Sequence, residues 1–168
     1  MEKLFFARSL RLGEGELLLN EEQTHGVKSL CALHLQFAWW SLACFVVLGT
    51  TLEVLHAFKI GWYLEQASET RRLMWTLAHA HGTLLSLVHA AFGLTCLALP
   101  AALNWRRKTS SALLMSASVL LPGGFFLGGA FIFEGDPGLG VWLVPLGAIC
   151  LLVAVVLTAV DVSRRSEA

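Results

Sequence analysis

Charge is what this chain has least of. Only 14% of its 168 residues are Asp, Glu, Lys or Arg, and 12 basic residues cancel 12 acidic ones. A neutral, charge-poor chain has no electrostatic footprint for nucleic acid, so no such partner is expected. Proline is sparse too, at four residues, and long helical stretches therefore run with few breaks. The four cysteines, Cys31, Cys44, Cys96 and Cys150, form neither CxxC nor CxxCH. That spacing speaks against a thiolate metal site, a disulfide framework and covalent c-type haem, and leaves them as small packing residues. Nor do the first residues read as a secretory leader, because Arg8 and Arg11 interrupt the apolar run at its start.

What fills the chain instead is hydrocarbon. Hydrophobic residues make up 56%, and the mean hydropathy is +0.67, outside the soluble globular range. Four apolar runs stand out, at about 34–58, 73–99, 111–133 and 139–160. Each approaches or exceeds the roughly 20 residues that cross a hydrocarbon core of about 30 Å. Hydrocarbon satisfies no backbone polar group, so these runs must be helices. The expected fold is all-α: a polytopic membrane protein, an antiparallel four-transmembrane-helix bundle with its spans in a single domain, 31–168. Residues 1–30 are expected to form a cytoplasmic or interfacial N-terminal segment, either a short surface helix carrying Leu4, Phe5, Phe6, Leu10 and Leu12 or a disordered, loosely associated tail. Lys3, Arg8, Arg11, Lys28, Arg106, Arg107, Lys108, Arg164 and Arg165 fall on one side, against Lys59, Arg71 and Arg72 on the other. This bias puts both termini in the cytoplasm, and a bacterial inner membrane is the expected location.

Ionisable groups inside such spans are costly and are functional candidates. On the first span, Glu53 and His56 stand three residues apart and are neighbours on one helical face. On the second, His79, Gly82, Thr83, Ser86, His89, Ala90 and Gly93 share a stripe of small and polar residues that should face other helices. His79 and His81 are separated by about 200° on a regular helix and so point apart. Glu53 and His79 match in depth, which makes Glu53, His56 and His79 a candidate metal set for copper, iron or zinc. Alternatively His56 or His81 joins His79 or His89 as axial ligands of a b-type haem. His25 and His34 are read as solvated or interfacial. The third run carries Pro122-Gly123-Gly124 and Gly128-Gly129, which serve either tight packing or a groove for a flat ligand.

The segment Thr76-Leu77-Ala78-His79-Ala80-His81-Gly82-Thr83-Leu84-Leu85 resembles the histidine-rich helices of haem–copper oxidase and nitric oxide reductase catalytic subunits. It is also similar to a His-x-His helix in some small multi-span membrane proteins. The resemblance covers one helix and implies a small haem- or metal-binding relative or accessory, with no catalytic residue carried over. The function expected is therefore a haem b or transition-metal protein with its site near the outer leaflet. Its role would lie in respiratory electron transfer, assembly or sensing, within the bilayer as a homo-oligomer or part of a larger respiratory complex. Two other readings stand beside it: a proton- or ion-coupled transporter using Glu53, His56, His79 and His89 as a relay, and a structural membrane subunit.

Overall fold

The computed structural model describes residues 2–65, 68–99 and 104–166, with side chains from residue 21 to 164. The side chains of the expected interfacial stretch from Leu4 to Leu12, and of Arg165, lie outside the described residues. The chain is helical almost throughout: α1 (Glu2–Ala57), a single turn α2 (Gly61–Leu64), α3 (Glu69–Ala98), α4 (Trp105–Ala130) and α5 (Leu143–Ser166). Four helical stretches, Glu21–Ala57, Glu69–Ala98, Trp105–Ala130 and Leu139–Arg164, are long and apolar enough to cross a membrane. The secondary structure has no break near residue 30, because α1 runs on as one helix.

Helices adjacent in sequence pack side by side and antiparallel, α1 on α3, α3 on α4 and α4 on α5. The α1–α3 seam follows a three-and-four spacing. Cys31, His34, Ala38, Ser41, Phe45, Gly49 and Leu52 of α1 meet α3 residues at similar steps. Glycines set how closely the two helices approach. A Cβ at Gly82 would collide with the Phe45 ring, and one at Gly49 with the His79 imidazole. The outward faces are apolar, with Trp39, Trp40, Val46 and Val47 exposed on α1 and Ile149, Leu152, Val155 and Val156 on α5. Exposed apolar surface on this scale is what a lipid-facing helix presents.

Asn104 caps α4, its side chain accepting the Arg107 backbone N–H at 2.9 Å. Pro122 lies inside α4 without ending it. It deprives the Ser118 carbonyl of its intrahelical donor. Gly124 and Gly128 pack against Val144 and Val141, which is the tight-packing reading of that motif. Beyond α4, a two-residue hairpin pairs Ile132 with Pro137 and Phe133 with Asp136. Its turn places Glu134 and Gly135 at φ of 51° and 94°, the left-handed pair that a tight hairpin requires. Thr70 Oγ1 donates to the Gly135 carbonyl at 2.6 Å, and Arg71 Nε to that of Gly129 at 3.2 Å, tying the hairpin and the end of α4 to the start of α3. Between the spans, burial pushes the Tyr63 phenol up against a weaker opposing pull from Arg72.

Candidate functional site: a buried imidazole pair

The expected polar stripe of α3 does face its neighbours. Gly82, Ser86, His89 and Gly93 are buried, and each meets α1. At its centre His89 meets His34 of α1, both fully buried, with Nδ1 to Nδ1 at 2.7 Å. His34 Nε2 lies 2.7 Å from Ser111 Oγ, and His89 Nε2 lies 2.8 Å from Ser118 Oγ. The serines are seven residues apart on α4, two turns along one face. Three helices thus supply four side chains in one chain of hydrogen bonds: Ser111, His34, His89, Ser118. Phe92 lies on the His34 ring and Phe37 on the His89 ring, each with centroids 4.5 Å apart.

The proton count follows from the chemistry of neutral imidazole, which has one N–H and one bare nitrogen. Two Nδ1 atoms at 2.7 Å must share one proton. If His34 Nδ1 donates, then His34 Nε2 accepts from Ser111, and His89 Nε2 donates to Ser118. If His89 Nδ1 donates, every bond reverses. The chain therefore has two complete polarities, with every ring nitrogen paired in either. One turn along the same seam, Ser41 and Ser86 hydroxyls meet at 2.8 Å. Beside Ser118 lies a groove of about 390 Å³ between α1 and α4, floored by Ala78 and lined by Cys44, Phe45, Pro122, Gly123 and Phe126.

The residues singled out in the sequence are placed differently from one another. His79 packs into the notch at Gly49, and its Nδ1 donates to the Phe45 carbonyl at 2.8 Å. His81 turns to the other side, its ring 4.8 Å from Phe125 of α4 and its Nδ1 donating to the Leu77 carbonyl at 2.9 Å. The two histidines diverge as helical rotation requires. Glu53 and His56 are exposed near the end of α1, because the seam there runs through Gly49 and Leu52. Among the described residues, no three His, Cys, Asp or Glu gather closely enough to hold a metal ion, so Glu53, His56 and His79 are not brought together. His89 is in the site. His34, whose place at the start of its apolar run suggests an interface, is its partner; the spacing Cys31, His34, Ala38, Ser41 is the signal for it.

The seam makes a stability prediction. Gly82→Val forces the Phe45 ring aside, and overpacking of this kind costs about 1–3 kcal/mol. Gly123→Ala adds its methyl where nothing lies within 4 Å, and is expected to leave stability unchanged or slightly raised. Thermal unfolding in detergent should separate the two; equal midpoints would contradict the packing described.

Fold and site together define a class: four membrane-length helices, three of which supply a buried imidazole pair and its two serines. Comparison with protein-family models, curated proteins and solved structures matches the chain to none of them.

Proposed function

We propose that this chain is a polytopic membrane protein that passes protons along the Ser111–His34–His89–Ser118 chain. The observation that carries the reading is the 2.7 Å contact between the two Nδ1 atoms, with a hydroxyl on each outer nitrogen. A proton arriving at Ser111 Oγ releases the serine's own proton to His34 Nε2. The Nδ1 proton crosses to His89 Nδ1, the Nε2 proton of His89 moves to Ser118, and the hydroxyl proton of Ser118 leaves. One proton enters, one leaves, and no group stays charged. The chain is then inverted, and each imidazole must change tautomer, with the hydroxyls turning, before a second proton passes in the same direction. With both termini on the cytoplasmic side, the orientation that the bias of positive charges supports, Ser111 would lie towards the cytoplasm and Ser118 towards the bilayer centre. This is the relay reading with His34 in place of Glu53, His56 and His79.

Vesicles holding the purified protein, a pH-sensitive dye and a potassium diffusion potential test it. Wild type should collapse the gradient, and His34→Phe and His89→Phe should behave as protein-free vesicles. Collapse at the wild-type rate by both variants would remove the reading.

One observation favours a cofactor as the second reading. The carbonyls bound to Nδ1 of His79 and His81 leave each Nε2 as a bare lone pair, the tautomer in which histidine ligates a metal or haem iron. They face different helices, so each would supply one ligand to a separate centre. A Soret band or stoichiometric copper, iron or zinc in purified protein, lost in His79→Ala or His81→Ala, would support it. Unchanged spectra and metal content in both variants would remove it.

A further inference from the structure

At the Trp105 end of the bundle, α3, α4 and α5 enclose a cavity of about 10 Å³, lined by Phe92, Thr95, Cys96, Arg107, Ser110 and Thr158 among others. Arg107 and Ser110 are 4% and 1% exposed. Among the described residues, Arg107 Nη1 and Ser110 Oγ are buried without a hydrogen-bond partner. Two unpartnered polar atoms beside one cavity are a costly arrangement unless something small completes them. The rest of the guanidinium is engaged: Nε donates to Asp161 Oδ2 at 3.0 Å and Nη2 to the Leu99 carbonyl at 2.6 Å.

We propose that this cavity is a binding site for one internal water molecule. The space suits a single water, whose minimum requirement is about 10–15 Å³. The charge of Arg107 is already matched by Asp161, so the ligand is neutral. It must accept from Arg107 Nη1, which can only donate, and exchange a hydrogen bond with Ser110. Thr95 and Thr158 supply the other half of a tetrahedral shell. Their hydroxyl protons go to the Ala91 and Ala154 carbonyls at 2.8 Å, leaving oxygen lone pairs to accept. Two donors and two acceptors around one small space describe a water site. Phe92 both lines the cavity and lies on His34, so its ring is the apolar partition between this water and the imidazole pair. The water site does not rest on the relay reading.

X-ray hydroxyl-radical footprinting of the full protein in detergent tests the site, because radicals formed from ordered internal water label the side chains that touch it. Cys96 and Phe92 are expected to be oxidised severalfold faster in wild type than in Ser110→Val, which fills the cavity. Thr158→Val, nearly isosteric, should lower the same two rates and covers the case in which Ser110→Val does not fold. Equal rates in wild type and in a folded variant would overturn the proposal. Equal labelling of wild type and a folded variant with proton flux intact overturns the water site alone. Absence of flux with the labelling pattern intact removes the relay and supports the site.

Discussion

In the double variant His34→Phe/His89→Phe, stability is expected to lie closer to wild type than that of either single variant. Removing one imidazole strands the Nδ1 of the other in a fully buried site, where an unsatisfied polar group costs about 1–3 kcal/mol. Hydrogen bonds between membrane helices average about 0.6 kcal/mol, which favours the lower end of that range. Replacing both rings removes the stranded atom, and two phenyl rings repack against Phe37 and Phe92. Ser111 and Ser118 can turn their hydroxyls to carbonyls of their own helix, as Ser116 does to Ala112. Proton flux, by contrast, should be absent in all three variants. Stability recovered while flux stays lost is the result that separates a relay from a clamp. Strictly additive destabilisation, measured by reversible unfolding in detergent, would contradict the shared hydrogen bond.

The second large effect is expected at the Trp105 end. Arg107 and Asp161 form a buried ion pair at 3.0 Å, and Asn104 donates to the other carboxylate oxygen at 2.8 Å while capping α4. Asp161→Leu leaves the guanidinium uncompensated, and breaking a buried pair in this way costs about 3–5 kcal/mol. The position near the helix ends lets Arg107 turn towards water, which pulls the cost towards the lower figure. Arg107→Met/Asp161→Leu removes both charges and should be much milder than Asp161→Leu alone. Comparable losses in the single and double variants would show that the pair contributes through packing alone.

Much of this architecture is legible in the chain. Hydropathy and length locate four membrane-length helices, and the small, polar stripe of α3 identifies the face that packs. Rotation alone separates His79 from His81, and the structure sends them to α1 and α4. What the sequence does not convey is how neighbouring helices are rotated and staggered. Equal depth made Glu53 and His79 look like partners, yet the imidazole docks on Gly49 and the seam continues through Leu52. His34 lies at the start of its apolar run, where hydropathy alone reads an interface. The continuation of α1 past that point, with Val27 and Cys31 packed beside Cys96, places it inside. Arg107 likewise reads as one of three successive basic residues, and only the approach of α5 reveals Asp161 as its partner.

The central claim is that His34 and His89 share one proton between their Nδ1 atoms. It is tested most directly by ¹⁵N NMR of histidine-labelled protein in bilayers. A scalar coupling between the two Nδ1 nuclei, lost in His89→Phe, is the result expected. Two imidazoles with no coupling between them, whose N–H protons exchange freely with bulk water, would contradict the account.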